Sequence, residues 1–228
     1  MLAVLAAAFC IGSVRLFFWK LFGESRYGGI AYLLYGSLVP RCVEYYFYSN
    51  PSLFDLTRCG ESGLSSYEQG VMSVSAGYFL QTTFFGCFLR EEWYLLLHHG
   101  ISFAVVSTPL YMDCCAFEIL LCLWVGEYTT PCAFWIFFYK KDKVMYNCWP
   151  MVLNKSIYFL FFLVLRFGVG SYLFWVWLNC DTLLVIKAGC VFMIVFNLYV
   201  VWLALVQIKD FLATTSAYKL KKHTSKQL

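Results

Sequence analysis

The feature that most restricts this chain is the length of its apolar runs. Seven can be drawn, at about residues 2 to 22, 28 to 48, 71 to 88, 93 to 112, 115 to 139, 155 to 178 and 183 to 208. Each is close to the roughly 20 residues that a helix needs to cross a bilayer. Of the 228 residues 61% are apolar by type and 13% are charged, where soluble globular chains hold about 45–50% and about 25%. That excess excludes a cytosolic enzyme, and it equally excludes a chain that stays disordered in water. Hydrocarbon offers no partner to a free backbone group, so the runs are expected to be helices. A membrane barrel would need strands of about ten residues alternating in polarity, whereas these runs are apolar on all sides. The expected fold class is an all-α membrane protein, a polytopic bundle of about seven transmembrane helices.

The first run does not have the charge order of a cleaved signal peptide. Ala6, Ala7 and Ala8 supply small residues, but no basic residue precedes them, and Arg15, Lys20 and Arg26 come late or after the run. A retained helix is expected. Orientation follows from the lysines: Lys140, Lys141, Lys143 and Lys155 crowd one loop, and Lys209, Lys219, Lys221, Lys222 and Lys226 lie in or near the tail. In the 49 to 70 loop Arg58 stands against Asp55, Glu61 and Glu68. The positive-inside rule then puts the C-terminus in the cytosol, with Asp113 and Asp181 outside and Arg26 and Arg90 inside.

The eleven cysteines include no CxxC pair and no His/Cys spacing suited to zinc, so no metal site is expected. Cys59, Cys114, Cys115 and Cys180 fall on or beside the non-cytosolic loops, where a disulfide can form. The net charge of +4 reads as loop charge beside lipid headgroups, without the basic and aromatic face that nucleic acid would require.

Polar groups inside the runs are costly, which makes each a functional hypothesis. By helix rise, Gln81 and Thr82 on the third helix lie level with the His98-His99 pair on the fourth, about 8 to 12 Å from the cytosolic end. Glu127, Arg166 and Asn197 lie deeper, about 16 to 18 Å in. A carboxylate and a guanidinium at one depth should pair, so a direct Glu127–Arg166 ion pair beside Asn197 is expected. Pro131 should kink the fifth helix just below the acid. Paired imidazoles suit acyl transfer or proton shuttling, but hydrogen-bonded packing is the commoner role of such a dyad. For Glu127 and Arg166 the simpler reading is an ion pair that fixes helix register. Arg15 and Lys187, near helix ends, are expected to snorkel.

The segments SVSAGYFLQTTFFGCF, LLLHHGISF, GEYTTP, LRFGVGSYLF and VIKAGCVFMIVFNLYVVWL, in that order, resemble the TLC domain shared by the TRAM, Lag1 and CLN8 proteins, and within it the TLC domain-containing protein 5 subgroup. The resemblance divides the chain into an N-terminal transmembrane anchor over 1–25, a TLC domain over 26–212 and a basic cytosolic tail over 213–228. It implies a multi-pass protein of the endoplasmic reticulum or another endomembrane, with membrane lipids as partners and a lipid-accepting cavity. Ceramide synthases of this family transfer an acyl group from acyl-CoA using paired histidines, which His98 and His99 match. Where many members carry Asp five residues after the glycine of the GYF segment, this chain has Thr82. At a helix-two position that is often His in the subgroup it has Tyr35. An imidazole without a carboxylate to orient it loses the partner that holds its tautomer.

Three functions follow as expectations. The first is a lipid-homeostasis protein that binds or senses lipid in an intramembrane cavity without catalysis and with no cofactor. The second is an acyl-CoA-dependent N-acyltransferase using His98 and His99, with acyl-CoA as its co-substrate. The third is a membrane adaptor for cargo export.

Overall fold

The computed structural model describes residues 2–22, 28–51, 59–89, 93–139 and 142–224. Arg26, Asp55, Arg58, Arg90, Lys140, Lys141 and Lys226, on which part of the loop-charge reading rests, lie outside the described residues. No strand occurs among the described residues, and the one backbone bridge joins Ser62 to Cys114. The helices are α1 (Leu2–Phe22), α2 (Gly28–Ser49), α3 (Ser66–Leu89), α4 (Trp93–Met112), α5 (Ala116–Glu127), α6 (Thr130–Phe138), the short α7 (Lys143–Tyr146), α8 (Trp149–Phe161), α9 (Gly170–Leu178) and α10 (Leu184–Thr224). Between α8 and α9 the backbone runs on as a π-helix over Phe162–Val169.

Among the described residues four stretches are long and apolar enough to cross a membrane: Trp93–Met112, Ala116–Ile136, Trp149–Leu178 and Leu184–Leu203. The chain is thus an all-helical membrane protein. It divides into two compact units, Met1–Val191 and Phe192–Leu228, the second formed by the later part of α10. Within the first unit α3 packs between α1 and α4, α2 runs along both α5 and α6, and α6 lies against α8.

These packings follow from small residues. In lipid no hydrophobic drive pulls helices together, so close contact depends on residues that let backbones approach. A Cβ on Gly77 would lie 2.7 Å from the Ala8 nitrogen and 2.9 Å from the Val4 carbonyl oxygen, which brings α3 directly onto α1. A Cβ on Gly36 would lie 2.1 Å from Thr130 Cγ2, so α2 touches the first residue of α6. Pro131 has no N–H for the Glu127 carbonyl and its ring crowds that oxygen. The fifth apolar run accordingly breaks into α5 and α6 at Tyr128 and Thr129.

One end of the first unit is tied across three connections. Gly63 donates to the Asp113 carbonyl at 2.8 Å, Cys115 to the Glu61 carbonyl at 2.8 Å, and Leu64 to the Asp113 carboxylate at 2.9 Å. Gly60 has φ +66° and donates to the buried carboxylate of Glu118 at 2.7 Å. A disulfide, Cys59–Cys180, closes the set across 121 residues with a Cα separation of 5.8 Å. Burial and the adjacent Cys115 push the Cys114 thiol in the α4–α5 connection up to about 11, so at neutral pH it is protonated. Ser65 and Glu68 form a capping box at the start of α3, with Ser65 N–H donating to the Glu68 carboxylate at 2.7 Å and Glu68 N–H to Ser65 Oγ at 3.3 Å. At the other end Lys155 folds back on the α7 turn, donating to the Tyr146 carbonyl at 2.8 Å.

The contact between α2 and α6 sets a first prediction. Gly36→Val is expected to cost about 1–3 kcal/mol through overpacking, whereas Gly70→Ala, which has nothing within 4 Å, should be near neutral. Thermal unfolding of the two variants in detergent, followed by size-exclusion fluorescence, measures the difference.

Candidate functional site

The deep polar residues gather where α5 gives way to α6. Glu127, the last residue of α5, is buried and accepts a hydrogen bond from the Thr130 hydroxyl at 2.7 Å. The Tyr32 hydroxyl of α2 lies beside Thr130. The Arg166 guanidinium, on the π segment, donates through Nη2 to the Gly126 carbonyl oxygen. Its carbon stands 5.4 Å from the centre of the Phe162 ring. The expected ion pair is therefore replaced. Arg166 takes a backbone oxygen one residue before the acid, and Glu127 takes a hydroxyl inside its own helix break. The break is the reason: it offers the guanidinium a carbonyl at the depth of the carboxylate, and it places Thr130 within reach of Glu127.

A ring stack leads from there to the histidines. Tyr35 of α2 and Tyr78 of α3 lie face to face with centroids 3.7 Å apart and planes 8° from parallel. Tyr78 meets His99 edge-on at 6.3 Å, Phe79 lies 6.2 Å from His99, and the two imidazoles are 5.3 Å apart. Glu127 interacts electrostatically with Tyr32, Tyr35 and Tyr78, and Arg166 with Glu127, Tyr32, Tyr158 and His98. Arg15 is buried, with its guanidinium carbon 5.6 Å from the centre of the Phe85 ring, and interacts with His99 and Tyr78. It does not snorkel, because α1 is pressed against α3 at Gly77 and holds the side chain between them. Lys187 does turn to its helix end, donating to the carbonyls of Cys180 at 2.8 Å and Leu178 at 3.3 Å.

Gln81 and Thr82 are level with the histidines but do not orient them. The Thr82 hydroxyl donates to carbonyls of its own helix, those of Tyr78 at 2.9 Å and Phe79 at 3.0 Å. Gln81 is buried, and its Cγ would lie 3.5 Å from a Cβ on Gly12, so it faces α1. Successive helical residues point about 100° apart, and on α3 it is Tyr78 and Phe79 whose rings meet His99. Asn197 is buried and belongs to the second unit.

The site is rich in unused donors. Among the described residues Tyr78 Oη, Gln81 Nε2, Gln81 Oε1, Arg166 Nε and His99 Nδ1 are buried with no hydrogen-bond partner. Sequence reasoning missed Tyr32, Tyr78 and Thr130 as parts of this cluster, although tyrosines level with a buried acid were the available signal. Among the described residues there is no group of three or more His, Cys, Asp or Glu that could hold a metal. No protein-family model, curated protein or solved structure matches the chain.

The Glu127–Thr130 bond sets a second prediction. Thr130→Val removes the hydroxyl bonded to the buried carboxyl and is expected to cost about 1–3 kcal/mol. Glu127→Gln keeps an oxygen for Thr130 and should cost less than half as much. Unfolding midpoints of the two variants in a mild-detergent and SDS titration give the comparison.

Proposed function

We propose that this is a multi-pass endomembrane protein of lipid homeostasis that holds a lipid at the Tyr78–His99–Arg166 level. One observation carries the reading: buried polar atoms of the first unit are left without partners at membrane depth. In hydrocarbon such groups are costly unless something covers them. Most of them donate, so the complementary ligand offers acceptor oxygens, as an ester carbonyl or a phosphate does. Backbone irregularity at membrane depth, here the α5–α6 break and the π segment, is tolerated where it is buried in protein or lines a cavity, and π segments are frequent at functional sites. The order of the motifs supports membership in the TLC family, and that likeness is part of the proposal.

The full membrane arrangement belongs to the same reading. It has seven crossings formed by α1, α2, α3, α4, α5 with α6, α8 through α9, and α10, with the C-terminus in the cytosol. The Cys59–Cys180 disulfide supports this orientation, since stable disulfides form in oxidising compartments and both cysteines lie at the end away from the α7 turn. The endoplasmic reticulum, or another endomembrane, fits that redox asymmetry.

A catalytic role for His98 and His99 is the second reading. Aromatic rings flank His99, and Glu127, the nearest deep acid on α5, is engaged by Thr130. No orienting carboxylate is bonded to His99 among the described residues, which favours binding over acyl transfer.

Two tests follow. His98→Ala/His99→Ala is expected to alter cellular lipid composition while the purified wild-type chain transfers no acyl group from acyl-CoA to a long-chain base; transfer that the double variant abolishes would establish the enzyme instead. A C-terminal tag should be cleaved by protease added to intact microsomes, and protection of the tag would reverse the orientation.

A further inference from the structure

One face of α2 is left open by the other helices of the first unit and carries a regular seam. Its exposed residues Leu34, Leu38, Arg41, Tyr45 and Tyr48 follow one another at steps of four, three, four and three, the a/d spacing of packed helices. Leucine and tyrosine there would suit lipid. Arg41 does not. Its side chain is 66% exposed and its Nη1 donates to the Glu44 carboxylate at 2.5 Å.

The depth of this pair does not depend on the hydropathy of α2. The Arg41 guanidinium carbon stands 5.4 Å from the centre of the Tyr128 ring, and Glu44 accepts from the Trp124 indole at 3.1 Å. Both aromatics belong to the membrane-length stretch Ala116–Ile136. Tyr128 lies about 18 Å along it by helix rise, past the middle of a hydrocarbon layer of about 30 Å. Ionisable groups at such depth face protein or water and rarely lipid. The α2 face therefore needs an occupant.

We propose that the occupant is a second copy of this chain, and that α2 packs against α2 about a two-fold axis along the membrane normal. Every copy inserts in the same direction, so a second copy presents the same seam at the same depth. The pair is self-complementary: Glu44 is about 4.5 Å from Arg41 along the helix, a distance an arginine side chain spans, so each Arg41 reaches Glu44 of the other copy. A charged residue at one seam position also fixes register, since any slip separates the charges. The inference rests on the membrane placement of the chain and is independent of lipid binding.

Two differently tagged full-length copies, co-expressed with Cys10, Cys42 and Cys87 replaced by Ser and with Tyr45→Cys as the crosslinking position, test the proposal by oxidation in isolated membranes. Native charges should give a covalent dimer containing both tags. When both copies carry Arg41→Glu, or both carry Glu44→Arg, the yield should fall about fivefold, as expected for loss of an interhelical polar interaction. One copy of each should restore it, because an acidic seam then faces a basic one. Leu38→Cys, with native charges, must also give the dimer whatever the charge variants do. Absence of a dimer at both cysteine positions would overturn the proposal. So would a yield indifferent to charge, mixed copies that crosslink no better than like copies, or adducts only to another protein. Protease protection and lipid content of the same membranes report separately on membrane placement and lipid binding.

Discussion

The hydrogen bond from Arg166 to the Gly126 carbonyl joins the two places where regular α-helix is interrupted. In water a broken helix end is solvated, but in hydrocarbon each freed backbone group must find a partner in the protein. Pro131 forces the break between α5 and α6 by leaving the Glu127 carbonyl without its N–H, and Arg166 donates to the carbonyl one residue earlier, that of Gly126. The π segment that carries Arg166 packs against α5. Because the guanidinium is engaged by a backbone oxygen, Glu127 is left to Thr130, and Thr130 in turn is reached by α2 only because residue 36 is glycine. The site is therefore built around the helix break at Pro131.

The two ends of the first unit differ in kind. One is tied by backbone hydrogen bonds among three connections, by the buried acceptor Glu118 and by a disulfide. The other holds the short α7 turn, capped by Asp142, which accepts from Val144 and Met145 at 3.0 Å. In the proposed reading a lipid enters from the α7 end and leaves the covalently closed end intact. In the proposed complex the rings of Tyr35, Tyr78 and Phe79 provide the apolar wall, and Arg166 Nε and Tyr78 Oη the donors.

Much of the fold was legible because hydrocarbon leaves so few choices. Run lengths gave the helices, and the kink at Pro131 followed from its missing N–H. The members of the deep site were legible by depth, which is linear in sequence, but their partners were not. Partners depend on which face each residue presents and on what the neighbouring backbone offers. Gln81 shares the level of the histidines yet turns toward Gly12, and Arg15 is near a helix end by count yet is trapped between α1 and α3. Arg41 and Glu44 were passed over although both interrupt an apolar run, the same signal that picked out Glu127. The pairing of Cys59 with Cys180 could not be read from spacing, because it depends on three connections meeting at one end.

The buried donors of the first unit are proposed to belong to a lipid. Native mass spectrometry of the full-length chain, purified in mild detergent without added lipid, tests this most directly. The expected spectrum is dominated by the chain with one retained lipid mass, and Arg166→Met should lose that mass while the Cys59–Cys180 disulfide still forms. A wild-type chain that is lipid-free and equally stable, or an adduct that survives Arg166→Met unchanged, would contradict the claim.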